Sequence, residues 1–242
     1  MLIHISIDFN LPLAFLSSFS ATGIVTLLFA LALILAGGIV HEFGHAWAAA
    51  KLGDGTAQAQ GRLTFHPLPH LDPFLSGVLP LITLLVAGVP FGGMKPVPVY
   101  PLRLRRPDRD LMWTALAGPV FQLAFVAVLV VALLLLSPLF GPDSIAFAGL
   151  TLGILLNVLI AIFNLIPVPP LDGSKILRFF LPPDLRRVYD TVGPVVAIAL
   201  LIGVLFAGFL GGFFRTILNV NAEIRATLFD TFGLHNLITL WS

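Results

Sequence analysis

Two histidines and a glutamate stand close together in the segment His41-Glu42-Phe43-Gly44-His45. On an α-helix, residues four positions apart lie on the same face, so the imidazoles of His41 and His45 can bind one cation. Glu42 lies about 100° around the helix from His41, where its carboxylate can reach a water beside the cation rather than the cation itself. Two histidines arranged in this way around a glutamate are typical of zinc hydrolases, in which the glutamate is the general base.

The segment directly follows a strongly apolar stretch. Residues 24–40 carry no charged side chain, and an ionisable group at membrane depth is costly unless it has a function. The whole chain is 58% hydrophobic and 10% charged, whereas soluble domains carry about 25% charged residues. The composition therefore predicts a multi-pass protein of the cell membrane, with the lipid bilayer as a partner. The formal net charge of +1 gives no reason to expect a nucleic-acid partner.

A third metal ligand is expected elsewhere in the chain, because a catalytic zinc has three protein ligands. The chain has no cysteine, so this ligand must be a histidine, an aspartate or a glutamate. Asp172 stands out because it follows an apolar stretch and three prolines and precedes a glycine. Irregular backbone near membrane depth occurs where protein buries it or where it lines a wet cavity. The alternative for Asp172 is an ordinary turn after the prolines.

The fold class predicted is an all-α polytopic membrane protein, a bundle of four to six transmembrane helices with short extended or β segments between the first spans. A helix needs about 20 apolar residues to cross the hydrocarbon core. The stretches that best meet this requirement are 21–50, 110–137, 145–166 and 192–214. Two weaker stretches are 11–19 and 75–89, of which the second is either a thin span or a re-entrant segment.

Two connecting segments are predicted to be extended, Gly55–Leu63 and Met94–Leu104. The second contains three prolines, which cannot donate to a β-ladder and therefore favour an edge strand or an irregular one. A loop that covers the bundle is the alternative. The chain is expected to form a single membrane-embedded domain over 1–242, with a core at about 20–212. Residues 213–242 would then form an amphipathic tail on the membrane surface.

The basic residues predict the orientation in the membrane. Nine of the 13 lysines and arginines lie in the two loops 95–109 and 175–187, which the positive-inside rule places in the cytoplasm. The connection 137–143 carries no basic residue and is expected on the outside. The site is therefore expected toward the cytoplasmic face. The side on which the N-terminus lies depends on whether residues 75–89 cross the bilayer.

Taken together, these motifs resemble the site-2 protease family of intramembrane zinc metalloproteases. The resemblance rests on the segments 41–45 and 164–173, with further matches at 91–99 and 117–119. Gly61–Thr64 and His70–Pro73 resemble segments of its compact bacterial and archaeal branch. The resemblance covers about residues 38 to 175, and no loop is long enough to hold a PDZ domain.

The resemblance implies one catalytic zinc ion held by His41, His45 and Asp172. It also implies that Glu42 takes a proton from the attacking water and returns it to the leaving amine. Asn164 would lie near the metal and donate to the developing oxyanion. The alternative for Asn164 is a hydrogen bond between helices, which is also how Asn157 is interpreted. The implied substrate is a transmembrane protein or peptide. A separate hypothesis is that an extended segment, Gly55–Leu63 or Met94–Tyr100, captures its unwound part by strand pairing.

A divalent-metal permease, or a metal-binding membrane protein without hydrolase activity, is the alternative from another class. Glu42 distinguishes the two, because a permease would use it as one more ligand and a protease as a base. A second group of metal-ligating residue types, His66, His70 and Asp72, lies in the loop after the first span. A second metal site is possible there, but a role in stabilising the loop is favoured.

Overall fold

The computed structural model describes residues 21–87, 92–140 and 144–206, together with 216–217, 219–224 and 226–227. These residues form helices joined by irregular connections, without a β-strand among them. The helices in chain order are α1 (Ala21–Leu52), α2 (Thr56–Ala59), α3 (Leu79–Ala87), α4 (Pro107–Leu136), α5 (Ile145–Asn164), α6 (Asp172–Phe180) and α7 (Pro183–Phe206). Helices predominate because they satisfy their own backbone hydrogen bonds, which an apolar segment in lipid requires.

Three of these helices, α1, α4 and α5, are long and apolar enough to cross a membrane. They agree with three of the predicted spans, which confirms the prediction of a helical polytopic membrane protein. The predicted span 192–214 begins inside α7, and its residues 207–214 lie outside the described part of the chain. The stretch 11–19 also lies outside it. The number of four to six spans therefore stays a prediction.

The stretch predicted at 75–89 is helical as far as it is described. A π-helical turn at Pro73–Val78 leads directly into α3, and Asp72 caps this turn. Its Oδ1 accepts hydrogen bonds of 2.9 Å from the backbone N–H groups of Phe74 and Leu75. The described part of this helical stretch, 73–87, is shorter than the roughly 20 residues that cross a bilayer.

The prediction of an extended segment at Gly55–Leu63 is wrong. Thr56–Ala59 forms the short helix α2, and the preceding Asp54 accepts a 3.0 Å hydrogen bond from the Thr56 backbone N–H. This local side-chain hydrogen bond competes successfully with an extended backbone. Met94–Leu104 is irregular up to Tyr100 and then forms a 3₁₀ turn at Pro101–Arg103. This segment follows the loop alternative, because its prolines interrupt any ladder.

The three long helices pack against one another, and small residues allow their close approach. A Cβ added at Gly44 on α1 would lie 2.8 Å from the Ala117 carbonyl oxygen and 2.9 Å from Cβ of Phe121, both on α4. Gly118 and Pro119 lie inside α4 and are both buried. This Gly-Pro pair therefore does not begin a helix but lies at a close contact between α1 and α4.

Ion pairs join the first turn of α4 to α6 and α7. Arg178 on α6 contacts Asp108 on α4 and Asp190 on α7, each at 3.0 Å. Arg186 on α7 contacts the other oxygen of Asp108 at 2.8 Å. Exposed ion pairs contribute little individually, about 0–1 kcal/mol. Their importance here is that they hold α6, which carries Asp172, beside α4.

Candidate active site

Two imidazoles lie side by side on α1, where this helix packs against α4. His41 and His45 are both buried, with 7% of each residue exposed, and their Nε2 atoms lie 3.0 Å apart. The rings are nearly perpendicular, at 86°. This is the arrangement expected when residues one helical turn apart direct the same ring nitrogen toward one point.

Asp172 reaches the same point from a later part of the chain, at the start of α6. Helix α5 ends at Asn164, residues 165–171 turn, and Asp172 opens α6. Its Oδ2 lies 3.0 Å from Nε2 of each histidine. The following Gly173 allows this tight return, because a Cβ there would lie 2.1 Å from the Leu165 carbonyl oxygen.

The three donor atoms form an equilateral triangle with sides of 3.0 Å. Zinc bound tetrahedrally at about 2.0–2.1 Å places its ligands roughly 3.3 Å apart, so the triangle fits one such ion after small adjustments. Ligand atoms of His41, Glu42 and His45 also all lie within 4.8 Å of one another. Two imidazoles and a carboxylate, without a thiolate, are a donor set that suits zinc.

Hydrogen bonds at the other ring nitrogens prepare both histidines for a metal. His45 Nδ1 lies 2.7 Å from the Thr114 carbonyl oxygen, which can only accept, so this nitrogen carries the proton. His41 Nδ1 lies 3.0 Å from Oε1 of Gln122. A proton on Nδ1 leaves a lone pair on Nε2, the nitrogen that faces the other donors.

The surroundings of Asp172 favour its ionised form, which a metal requires. The Lys175 ammonium lies 3.0 Å from its Oδ1 and stabilises the negative charge. The place of Asp172 in the first turn of α6 acts in the same direction, because helix N-termini stabilise negative charge.

Glu42 is half-buried beside the triangle and is held by backbone from another part of the chain. Its Oε2 accepts a 3.1 Å hydrogen bond from the Val97 N–H. Val97 belongs to the irregular segment 92–100, which is fixed next to it at Lys95. The Lys95 N–H donates to the His70 carbonyl at 2.8 Å, and the Lys95 carbonyl accepts from the guanidinium of Arg62. The carboxylate thus has one oxygen engaged and one remaining.

Comparison with known proteins places this site in a family. The model of "Peptidase family M50" matches residues 142–210, which include Asn164 and Asp172. "Putative zinc metalloprotease YwhC" of Bacillus subtilis is 40% identical over 153 residues, covering 61% of this chain and 66% of that protein. "Putative zinc metalloprotease Rip2" of Mycobacterium tuberculosis (strain H37Rv) is 31% identical over 190 residues, covering 76% and 71%.

The chain belongs to peptidase family M50, the site-2 protease family of zinc metalloproteases. "Putative zinc metalloprotease MJ0611" of Methanocaldococcus jannaschii is 29% identical and is covered over 79% of its length. No solved structure matches the chain. The resemblance drawn from the motifs is therefore confirmed, and zinc is the metal that the family implies for the triangle of His41, His45 and Asp172.

Asn164, the residue of the M50 motif predicted to stabilise an oxyanion, lies at the last position of α5. Its side-chain Nδ2 donates a 3.0 Å hydrogen bond to the Ile160 carbonyl, one turn back in the same helix. The structure does not bring its amide to the triangle of His41, His45 and Asp172. Its role in catalysis stays a prediction.

Several residues around the M50 site escaped the sequence reasoning. Thr114 contributes only a backbone carbonyl and Val97 only a backbone N–H, so their residue types carry no signal. Gln122 did carry one, because it is the one polar side chain in the long apolar stretch of α4 that follows Thr114. Arg62 is another residue that was missed. It is a buried cation whose Nε has no hydrogen-bond partner in the described part of the chain.

The second group of metal-ligating residue types stabilises the loop rather than forming a donor cluster in the described chain. His70 is completely buried, and its Nε2 lies 2.8 Å from the Thr64 carbonyl oxygen. Asp72 caps the turn that leads into α3, and His66 is exposed. These positions agree with the role in loop stability that the sequence favoured.

Proposed function

We propose that this chain is an intramembrane zinc metalloendopeptidase that hydrolyses peptide bonds in or near transmembrane segments of membrane proteins. The observation that carries the proposal is the triangle of His41, His45 and Asp172 with Glu42 beside it, built on helices long enough to cross a bilayer. A protease needs a metal, a base and access to peptide, whereas a permease needs no base.

The depth of the triangle supports an active site within the membrane. The end of α1 and the start of α4 are adjacent, because the Arg105 N–H donates to the Leu52 carbonyl at 3.1 Å. His41 precedes Leu52 by 11 residues, and Gly118 follows Pro107 by the same number. At 1.5 Å per residue this is about 16 Å from that end, within a hydrocarbon core about 30 Å thick.

We assign this end to the cytoplasm. The loops that border it, 95–109 and 175–187, carry nine of the chain's 13 lysines and arginines, and basic loops remain cytoplasmic. We also propose the stretch 192–214 as a fourth span. It begins inside α7, which contacts the segment leading to Asp172 through a 2.7 Å hydrogen bond from the Tyr189 hydroxyl to the Pro167 carbonyl.

In the proposed reaction, His41, His45 and Asp172 would hold the zinc ion, which would supply Lewis-acid activation of water and of the scissile carbonyl. Oε2 of Glu42 stays hydrogen-bonded to the Val97 N–H, which leaves Oε1 to accept the proton of the attacking water. The same oxygen then returns this proton to the leaving amine. The bond cleaved is the peptide C–N bond, and the products are a carboxylate and an amine.

The proposal is tested with purified protein in proteoliposomes and a model transmembrane substrate. Chelation should abolish cleavage, and one equivalent of Zn²⁺ should restore it. Asp172→Ala should lose bound zinc and remain inactive after zinc is added, because two imidazoles alone bind the ion weakly. Transport of Zn²⁺ across the vesicle membrane without any cleavage would instead favour the permease.

We propose further that the segment 94–100 captures the unwound substrate by pairing with its backbone. The segment lies beside Glu42 and has no strand partner in the described chain. Val99 is the next residue after Val97 that has a backbone N–H, because residue 98 is a proline. This N–H has no hydrogen-bond partner in the described chain.

Val99→Pro removes this N–H and is expected to lower cleavage by about tenfold, the effect of one lost hydrogen bond of about 1.4 kcal/mol. Zinc content should not change. Val99→Ala is the matched control, because it shortens the side chain and keeps the N–H. Equal cleavage by the proline and alanine variants would show that substrate does not pair at this position.

A further inference from the structure

A line of buried amides leads from His41 into the interior of the bundle. Gln122 on α4 and Asn157 on α5 are 1% and 0% exposed. The Gln122 Nε2 donates to Asn157 Oδ1 at 3.2 Å, and Gln122 Oε1 lies 3.0 Å from His41 Nδ1. Asn157 Nδ2 donates to the backbone carbonyls of Leu33 at 3.1 Å and Gly153 at 2.8 Å.

The far end of this line fixes the direction of every hydrogen bond in it. Backbone carbonyls can only accept, so Asn157 must present its NH₂ group to Leu33 and Gly153 and its oxygen to Gln122. Gln122 must then present its NH₂ to Asn157 and its oxygen to His41. An amide oxygen accepts only, so the proton on His41 is on Nδ1.

We propose that Gln122 and Asn157 are positioning residues for the metal, which hold His41 in the tautomer whose Nε2 faces His45 and Asp172. His45 needs no such line, because the Thr114 carbonyl oxygen contacts its Nδ1 directly at 2.7 Å. At His41 the corresponding neighbour is an amide, which could present either its oxygen or its nitrogen. Asn157 removes this choice from Gln122. The inference rests on the proposed zinc site.

The packing of α1 against α5 is built around Asn157. A Cβ added at Gly37 would lie 1.7 Å from Asn157 Oδ1, so only glycine leaves room for the amide between the two helices. Burying an amide in an apolar interior is costly unless its groups are hydrogen-bonded. Asn157 meets this requirement because its nitrogen donates to two carbonyls and its oxygen accepts from Gln122. The bond that its oxygen accepts is the one that orients Gln122.

The competing role is that of simple adhesion between helices, in which the amides stabilise the bundle and leave the metal unaffected. Two variants of Gln122 separate these roles. Gln122→Met has similar length but no acceptor for His41, whereas Gln122→Glu keeps an acceptor. We expect Gln122→Met to weaken zinc binding by about 10–100-fold, the usual effect of losing a partner of a metal-bound histidine. Gln122→Glu should bind zinc at least as tightly as wild type.

Zinc affinity is measured by competition with a chromophoric chelator, and the visible spectrum of the Co²⁺-substituted protein reports the coordination of His41 independently of activity. Thermal unfolding in detergent checks that each variant is folded. Asn157→Leu, which contacts no ligand, should also weaken zinc binding. Combined with Gln122→Met it should cause no further loss, because Asn157 acts only through Gln122.

Each result has a definite meaning. Wild-type zinc affinity in Gln122→Met or Asn157→Leu, weakened affinity in Gln122→Glu, or additive losses in the double variant would overturn the positioning role. If Gln122→Met does not fold, Asn157→Leu and Gln122→Glu still decide the question. Failure of the wild-type protein itself to bind zinc would instead contradict the proposed function.

Discussion

Replacing Glu42 with glutamine is expected to leave zinc bound and to slow peptide hydrolysis by about 10²–10⁴-fold, the usual contribution of a general base. The glutamine amide oxygen can still accept the hydrogen bond that Oε2 receives from the Val97 N–H. It cannot take a proton from water at neutral pH. The triangle of His41, His45 and Asp172 does not include this side chain, so its metal should remain. Zinc retention is checked by metal analysis, and the slower hydrolysis by cleavage of a model transmembrane substrate with the same preparation.

Glu223→Gln is the matched control, because Glu223 is the other glutamate of the chain and is exposed. It should match wild type in both measurements. Loss of zinc in Glu42→Gln would identify Glu42 as a ligand, as the permease alternative requires. Cleavage that persists with zinc retained would contradict its role as the base.

Gly118→Ala is expected to abolish zinc binding and activity together. The added methyl would lie 2.4 Å from Cε1 and Nε2 of His45 and 2.8 Å from Nε2 of His41. These contacts displace the two imidazoles, and a shift of about 1 Å in a reacting group costs about 100-fold in rate. The effect runs against helix propensity, because alanine stabilises a helix by about 1 kcal/mol relative to glycine.

Zinc content and cleavage rate are measured as for Glu42. Gly55→Ala is the control, since no atom lies within 4 Å of the position its Cβ would take. It should retain wild-type zinc and activity. A Gly118→Ala protein that binds one zinc and cleaves at the wild-type rate would show that α4 does not pack against the imidazoles as described.

The core of the site was predictable because its signals are local. His41 and His45 are one helical turn apart, which fixes their common face without any knowledge of the fold. Asp172 was conspicuous because its prolines and glycine force a turn beside a span. Its approach to the histidines, by contrast, depends on how α5 and α6 fold back on α1. The family resemblance, rather than any periodicity, linked the two segments.

Residues whose importance depends on helix pairing could not be predicted. Gln122 meets His41 and Asn157 only because α1, α4 and α5 cross at one level, and no local pattern records that crossing. The prediction of an extended segment at Gly55–Leu63 was wrong for the opposite reason, because the contact that matters there is a short-range one. A short-range hydrogen bond from the Thr56 N–H to the Asp54 side chain favours a turn there, and a polar segment without clear periodicity gave no sign of it.

The hydrogen bond between the Val97 N–H and Glu42 has a consequence for the choice of scissile bond. It fixes the proton acceptor to the same backbone that, in the proposed mechanism, a substrate pairs with. The segment is also anchored at Lys95, through the His70 carbonyl and Arg62. In a peptide paired with this segment, the position of each peptide bond relative to Glu42 would therefore be fixed by its distance from Val97. The bond cut would be set by its register along the segment more than by the side chains that flank it.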